Sequence, residues 1–84
     1  MISVSVIIPT YNEEDNIQTL LQHLKKIENF QEIEILISDG GSTDKTIQLI
    51  EAEGFICLQG GQKSRAKQLN FGSKHAKGSI LYFV

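Results

Sequence analysis

The sequence predicts an α/β fold, in which a parallel sheet of about four strands carries three helices on both faces. Two observations lead to this prediction. Short apolar runs rich in β-branched residues alternate along the 84-residue chain with stretches whose apolar residues recur at helical spacing. Each run is separated from the next by a segment long enough for a helical crossover, which parallel pairing requires. The chain is shorter than the ~100–150 residues typical of a domain, so it has room for one hydrophobic core.

The first strand and helix come from the N-terminal third of the chain. Ser3–Pro9 (SVSVIIP) is short, β-branched and closed by a proline, which predicts a buried strand. The next apolar residues recur every three or four positions and predict one helical stripe, formed by Ile17, Leu20, Leu21, Leu24 and Ile27. Asn12 or Asp15 could cap the start of this helix, and Asp15 with Gln18 resembles a capping box.

The middle of the chain repeats this alternation. Ile33–Ser38 (IEILIS) predicts a second strand, and Phe55–Gln59 (FICLQ) predicts a third. Between them, a second helix that ends near Gly54 is marked by Ile47, Ile50 and Ala52.

The C-terminal part predicts one more helix and strand. The helix has a face of mostly small residues, suited to close packing on a sheet, formed by Ala66, Leu69, Ser73 and Ala76. Gly78 ends it, and Ser79–Val84 (SILYFV) begins a fourth strand.

Composition and charge exclude several classes of function. The formal net charge of −2 gives no overall basic field, so nucleic acid is not an expected partner. Cys57 is the one cysteine, and no paired Cys or His spacing suits zinc. No apolar run approaches the ~20 residues of a membrane span, and the N-terminus lacks the features of a signal peptide. We expect a cytoplasmic location, or the cytoplasmic face of a membrane for a full-length form.

Polar residues gather where three predicted strands end, and parallel sheets bind ligands at the carboxyl ends of their strands. These segments are Thr10–Glu14, Asp39–Asp44 and Gly60–Lys67. Standard phosphate loops are absent, because the Lys-Thr pair of GGSTDKT lacks the preceding glycine of a Walker loop and no G-x-G-x-x-G occurs.

Asp39 follows the second strand directly and has two interpretations. It is either a turn or N-cap residue, or a carboxylate directed at a ligand. A carboxylate only accepts hydrogen bonds, so it would select a donor such as the N3–H of uracil and reject cytosine. Gly40 and Gly41 would let the backbone approach that ligand, and Ser42 or Thr43 could cap the second helix.

The other two segments suggest contacts to a base and a diphosphate. Tyr11 could stack on a base, and Thr10 could present backbone groups to it. Glu13, Glu14 and Asp15 equally suit a helix N-terminus, where acids are favoured. Cations are disfavoured at a helix N-terminus, yet Lys63, Arg65 and Lys67 cluster at the start of the third helix. A bound diphosphate would make this cluster favourable. A solvated face of the helix would explain it equally well.

Three segments in this order and spacing resemble the family 2 glycosyltransferases, which have the GT-A fold. They are SVIIPTYNEEDNI, ISDGGSTDKT and SRAKQLNFGSKHAKGSILYFV, and together they span nearly the whole chain. The resemblance implies that residues 1–84 are the N-terminal, nucleotide-binding part of a domain that binds an NDP-sugar, with UDP-sugar favoured. It assigns the nucleotide site to Pro9, Thr10, Tyr11, Glu13, Asp39, Gly40, Ser42, Arg65 and Asn70.

The resemblance also implies what this chain would lack. The family's acidic metal-binding motif is expected just after Val84, so the Mn or Mg ion of a full-length member would have no ligands here. We therefore expect the chain alone to be inactive. By the family's strand order, the fourth strand would pair with the first and leave an apolar edge, which predicts self-association.

Two other classes of protein remain as alternatives. One is a non-catalytic nucleotide-binding or interaction module that acts with a partner chain. The other is a phosphoacceptor receiver, which is disfavoured because a receiver carries its acceptor on strand three, whereas Asp39 ends strand two.

Overall fold

Strands and helices alternate along the whole chain, as the sequence predicts. The computed structural model describes residues 2–28, 32–60 and 62–82. In chain order, the elements are β1 (Val4–Thr10), α1 (Ile17–Glu28), β2 (Ile33–Asp39), α2 (Thr46–Ala52), β3 (Ile56–Leu58), α3 (Arg65–His75) and β4 (Ser79–Tyr82). Strand β1 extends one residue beyond Pro9, and Phe83 and Val84 of the predicted fourth strand lie outside the described residues.

The four strands form one parallel sheet in the order β3-β2-β1-β4. In the register of β1 with β2, Val4 pairs with Ile33 at one end and Thr10 pairs with Asp39 at the other. The predicted position of β4 beside β1 is confirmed, with Val4 opposite Ser79. The carboxyl ends of the two central strands therefore lie at the same level.

Helices cover both faces of the sheet, which confirms the predicted layers. One face of β1 and β2 packs with α1 and α2 in the main apolar cluster, formed by Val6, Ile8, Ile17, Leu21, Leu24, Ile35, Ile37, Ile50 and Phe55. Side chains alternate along a strand, so Ile7 points to the opposite face, where α3 packs on β1 and β2. Burial of each large aliphatic side chain contributes about 1.5–3 kcal/mol to folding.

Helix α3 contacts the sheet through a different stripe from the predicted one. The buried residues of this helix are Gln68 and Gly72, whereas Ala66 is exposed and Ala76 lies beyond the helix end. A Cβ atom on Gly72 would come within 2.4 Å of Ile7 Cγ2. The helix therefore approaches β1 at the one position where it has no side chain, and this approach brings Gln68 onto the sheet.

The predictions that Asn12 caps α1 and that Ser42 or Thr43 caps α2 are wrong. Asn12 does not cap α1, because its Oδ1 accepts a hydrogen bond from the Thr43 N–H at 2.8 Å. At the start of α2, neither Ser42 nor Thr43 is the cap, and Asp44 Oδ1 instead accepts from the Thr46 N–H at 2.9 Å. The side chains of Asn12 and Ser42 instead join the loop after β1 to the loop after β2.

Both edges of the sheet expose an apolar side chain. Ile56 on β3 is 53% exposed, and Ile80 on β4 is 44% exposed. Among the described residues, no helix combines the length and apolar character needed to cross a membrane.

Candidate functional site

The candidate site lies at the carboxyl ends of β1 and β2, where Thr10 and Asp39 end paired strands. Both residues are buried, and the Thr10 hydroxyl donates a hydrogen bond of 2.8 Å to Asp39 Oδ1. The Gly40 N–H donates to the Thr10 carbonyl at 2.9 Å and extends the pairing by one step. The structure thus joins the first two predicted polar segments directly.

The Asp39 carboxylate is fully occupied by Thr10 of β1 and by donors of its own loop. Its side chain is 0% exposed. Oδ1 accepts from Thr10 and from the Ser42 hydroxyl at 2.6 Å, and Oδ2 accepts from the N–H groups of Gly41 at 2.9 Å and Ser42 at 2.6 Å. A carboxylate has about four acceptor positions, and all four are used. In this conformation Asp39 shapes the loop, and a base could bond to it only by displacing one of these donors.

Asn12 ties the loop after β1 to the loop after β2. Its backbone N–H donates to the Ser42 hydroxyl oxygen at 2.9 Å, and its side-chain oxygen accepts from Thr43 at 2.8 Å. Asn12 has a φ of 48°, a left-handed conformation that asparagine tolerates better than most residues. Since Ser42 also bonds to Asp39, a continuous set of hydrogen bonds joins the two loops.

Asp44 makes a second connection between the same loops. Its Oδ1 accepts from the Thr46 hydroxyl at 2.5 Å as well as from the backbone, and its Oδ2 accepts from the Glu14 N–H at 3.2 Å. The Thr46 hydroxyl oxygen in turn accepts from the Glu13 N–H at 2.7 Å. Partial desolvation raises the pKa of Asp44, but the hydrogen bonds from Thr46 and Glu14 outweigh it and leave the pKa below its ordinary value of 3.8.

The third polar segment reaches the site through Lys63. Its ammonium nitrogen lies 4.4 Å from the centroid of the Tyr11 ring, a cation–π contact of about 0.5–1 kcal/mol at an exposed site. Arg65 is the exposed first residue of α3. Lys67 points elsewhere, because its ammonium donates to Gln62 Oε1 at 2.6 Å.

Gln68 belongs to the site although the sequence analysis did not identify it. Its Nε2 donates to the Thr10 carbonyl at 2.8 Å and to the Ser38 carbonyl at 3.1 Å, so one amide joins the ends of β1 and β2 to α3. The side chain is only 4% exposed. A signal was present, since Gln68 lies one helical turn before Gly72 and therefore on the same face.

Three further predicted residues, Pro9, Glu13 and Asn70, line two hollows near the ends of β1 and β2 and on α3. Pro9 and Glu13 contribute with Thr10 to a cavity of about 360 Å³ along α1, which is otherwise lined largely by apolar side chains. Asn70 lines a separate hollow of about 280 Å³ with Gly60, Gln62, Lys67, Phe71 and Lys74. The structure thus groups Thr10, Asp39, Gly40 and Ser42 by direct hydrogen bonds, but it does not bring Asn70 to them.

The described residues do not form a metal site. Within residues 2–28, 32–60 and 62–82, no group of three or more His, Cys, Asp and Glu side chains is placed to hold an ion. The residues present therefore do not fit the Mn or Mg ion expected of a full-length family member.

Comparisons with known proteins show similarity along nearly the whole chain. The chain is 35% identical over 92 residues to poly(ribitol-phosphate) beta-N-acetylglucosaminyltransferase TarS of Staphylococcus aureus (strain Mu50 / ATCC 700699); the match covers 100% of this chain and 16% of TarS. The crystal structure of S. aureus TarS 1–349 in complex with UDP-GlcNAc matches with a TM-score of 0.80 and 33% identity, covering 96% of this chain and 26% of that one.

A more distant structure shows the same fold. Glucosyl-3-phosphoglycerate synthase from Mycobacterium tuberculosis, crystallised with Mn²⁺, UDP and glucosyl-3-phosphoglycerate, matches with a TM-score of 0.83 at 20% identity and covers 96% of this chain and 32% of that one. The predicted GT-A architecture is confirmed by these likenesses. The family model described as glycosyl transferase family 2 matches residues 5–84. The chain therefore belongs to glycosyl transferase family 2.

Proposed function

We propose that this chain is the nucleotide-sugar-binding part of a glycosyltransferase that uses a UDP-sugar as its donor. The family match and the 33% identity to TarS, whose structure holds UDP-GlcNAc, support the proposal. The chain spans 16% of TarS, and residues 1–84 would form the N-terminal part of a nucleotide-sugar-binding domain. The acceptor is outside the proposal.

The contact between Tyr11 and Lys63 carries the proposal. It places an aromatic ring and a cation together beside the Asp39 loop, and these are the two groups that a nucleoside diphosphate needs. The ring would stack on the base, while Lys63 would move from the ring to the diphosphate. Arg65 at the start of α3 would add a second cation. Asp39 at the end of β2 would read the base by accepting from a donor such as the N3–H of uracil, in exchange for one of the donors it holds in this conformation.

The other proposed contacts follow from positions at the same edge. Pro9 and Thr10 would border the base from β1, and Gly40 and Ser42 would border it from the loop after β2. Glu13 follows the β1 end, and its backbone is fixed by Thr46. Asn70 would contact the nucleotide from its own hollow on α3, next to Lys67.

Titration calorimetry with UDP, UDP-GlcNAc and uridine tests this proposal. We expect Tyr11→Ala to weaken binding of all three about tenfold or more, because stacking of a base on an aromatic ring contributes about 1–3 kcal/mol. Lys63→Ala should weaken UDP several-fold and leave uridine unchanged. Lys26→Ala removes an exposed cation from α1 and is the matched control. Folded protein that shows no saturable UDP binding at millimolar concentration would refute the proposal.

We propose further that the chain by itself transfers no sugar. A divalent cation would stabilise the charge that develops on the leaving diphosphate, and the described residues offer it no ligand cluster. Purified protein incubated with UDP-GlcNAc, with and without Mn²⁺, should release no UDP above a buffer blank. Release of UDP that depends on Asp39 or Tyr11 would show that the chain is sufficient for the chemistry.

A non-catalytic module that acts with another chain is the second candidate, and the exposed edge strand β4 favours it. Ile80 presents apolar surface beside backbone groups that lack a neighbouring strand within the described sheet. Whichever of the two candidate functions holds, we propose that the chain also self-associates through this edge, since open edges recruit strands. Light scattering should show a dimer or larger assembly that Ile80→Lys shifts toward monomer. A monomer at high concentration in the unmutated protein would refute association.

The cytoplasm is the proposed location. Cys57 is the one cysteine and cannot form a disulfide within the chain, which suits a reducing compartment.

A further inference from the structure

Positive charge is concentrated in one part of the chain. Residues 60–78 contain none of the ten Asp and Glu residues, but they contain five of the eight Lys and Arg residues, which are Lys63, Arg65, Lys67, Lys74 and Lys77. Helix α3 lies within this segment and carries no acidic residue. The net charge of −2 therefore combines an acidic N-terminal part with a basic segment around α3.

Two of these cations border the same hollow beside α3. Lys67 and Lys74 are seven residues apart, so they lie on one side of the helix, separated by two turns or about 10 Å along its axis. Both line the hollow of about 280 Å³, which we call the α3 hollow. The residues that α3 buries against the sheet are Gln68 and Gly72, so the α3 hollow lies on a different side of the helix.

The loop after β3 forms the opposite wall of the α3 hollow. A Cβ atom on Gly60 would lie 3.4 Å from Phe71 Cζ, so the loop backbone packs directly on this ring. Farther along the loop, Gln62 Oε1 accepts a hydrogen bond of 2.6 Å from the Lys67 ammonium. A packing contact and a hydrogen bond thus hold the loop against the helix and define the shape of the hollow.

The cationic groups around the α3 hollow keep most of their hydrogen-bond donors free. A lysine ammonium has three donors, and Lys67 uses one of them for Gln62. Within residues 2–28, 32–60 and 62–82, the Lys74 ammonium has no hydrogen-bond or ion-pair partner, and the ion pair present joins Lys25 to Glu53. No carboxylate lines the hollow. Its cations are therefore available to a ligand that accepts hydrogen bonds and carries negative charge.

The helix dipole explains one of the two lysines but not the other. Lys74 lies in the last turn of α3, where a cation is favoured. Lys67 is the third residue of the helix, where a cation is disfavoured, and its partner among the described residues is the neutral Gln62 amide. An anion placed between the two ammonium groups would stabilise both.

We propose that the α3 hollow binds the phosphate group of a soluble phosphomonoester. Such a group carries a charge close to −2 at neutral pH, which two lysines match, and its oxygens accept charge-assisted hydrogen bonds. The proposed nucleotide site takes its cations from Lys63 and Arg65, so the phosphate site is additional to it and does not depend on it. Asn70 also borders the hollow, but the phosphate site does not require it as a ligand.

A membrane surface suits this side of α3 less well than a soluble ligand. Helices that bind at a lipid surface place large apolar side chains beside their cations. Among the described residues, the exposed large apolar side chains are those of Ile56 and Ile80, and both belong to strands. Helix α3 therefore offers charge and a hollow, but no apolar face to insert into lipid.

The first test uses the unmutated protein, so it does not depend on whether a variant folds. Two-dimensional NMR of ¹⁵N-labelled protein at low ionic strength follows titrations with glycerol 3-phosphate and with glycerol. We expect glycerol 3-phosphate to shift the signals of Gln62, Lys67 and Lys74 saturably, with half-saturation at about 1–10 mM because the two cations are exposed. Glycerol should shift none of them. Absence of a saturable response to glycerol 3-phosphate would overturn the proposal.

The second test uses variants that remove one cation at a time. Lys67→Gln and Lys74→Gln keep a long polar side chain, and each should weaken binding of glycerol 3-phosphate about fivefold. Lys77→Gln removes an exposed cation of the same basic segment that does not line the hollow, and as the matched control it should stay within about twofold. Equal weakening in all three variants would show attraction by the general basic field, and it would overturn a site in the hollow.

Two further titrations separate this site from the nucleotide site and from lipid. The response of Lys74 to glycerol 3-phosphate should persist in protein saturated with UDP. If UDP abolished it, the hollow would belong to the nucleotide site, which overturns this inference and leaves the proposed function intact. Binding to vesicles that contain phosphatidic acid, without any response to glycerol 3-phosphate, would assign the hollow to a lipid headgroup and overturn the soluble ligand. A failure of UDP to bind would refute the proposed function alone.

Discussion

Replacement of Asp39 should destabilise the whole chain, because one buried carboxylate serves four donors. In Asp39→Ala the hydroxyl of Thr10, which is 3% exposed, loses its acceptor in a place that water does not reach. An unpaired buried donor costs about 1–3 kcal/mol, and each lost bond to a charged group costs about 1.5–3 kcal/mol before solvent compensates. The N–H groups of Gly41 and Ser42 lie nearer the surface and regain part of this from water.

These contributions sum to a loss of about 3–5 kcal/mol in the free energy of unfolding. A chain of this length has a total stability of only about 4–13 kcal/mol, so a loss of this size removes a large part of it. Asp39→Asn should lower the free energy of unfolding by about half as much. One amide oxygen still accepts hydrogen bonds, whereas the new NH₂ group is itself a donor and faces two N–H donors.

Urea denaturation followed by circular dichroism measures this loss. Glu51→Ala removes an exposed carboxylate from α2 and is the matched control, with an expected change within about 0.5 kcal/mol. If the denaturation midpoint of Asp39→Ala shifted no more than that of Glu51→Ala, the four-bond network would not exist in solution, and the argument that Asp39 has no free acceptor would be wrong.

Three further predictions concern other parts of the chain. Gly72→Ala should lower the free energy of unfolding by about 1–3 kcal/mol, since the new methyl group meets Ile7 Cγ2; because Ile7→Ala removes that carbon, the double variant should lose less in the same urea assay than the two single losses added together. Because the pKa of Asp44 is lowered on folding, its contribution is complete above pH 3.8 and is lost as the pH falls further; amide NMR signals of Thr46 should report this acid-induced opening, and signals unchanged to pH 2 would contradict it. Burial raises the pKa of Cys57 to about 11, so a disulfide reagent should modify it slowly at pH 7 and faster toward pH 10; rapid labelling at neutral pH would contradict this.

Much of the fold could be predicted from local pattern. The β-branched run around Ile7 indicates a strand, and the apolar residues around Leu21 recur at helical spacing. Because strands and helices alternate along the chain, only a few sheet topologies are possible. The polar residues after each strand likewise had to meet at one edge, because parallel strands end on the same side. Thr10 and Asp39 confirm this, since they pair in register.

What the sequence could not provide was the partner of each polar side chain. Asn12 and Asp44 bond to residues about thirty positions away along the chain, and nothing local in the sequence indicates that these residues are close in space. Asp39 bonds to donors of its own turn, which an interpretation of Asp39 as a ligand-binding residue does not consider. Gln68 could not be predicted as a site residue for a related reason. A glutamine within a mostly polar helix looks like a surface residue until Gly72 is seen to bring that face onto the sheet.

The close fit of Gly40 under the Gln68 amide has a consequence for how this sequence can diverge. A Cβ atom at position 40 would lie only 3.0 Å from Cδ of the amide and would push it from its place, and a shorter residue at position 68 would leave two backbone carbonyls without their shared donor. Either substitution alone is therefore unfavourable, whereas a paired exchange could restore a working edge. We expect the two positions to change together among homologues. A mutational library that varies them one at a time would score both as intolerant and would miss the viable combinations.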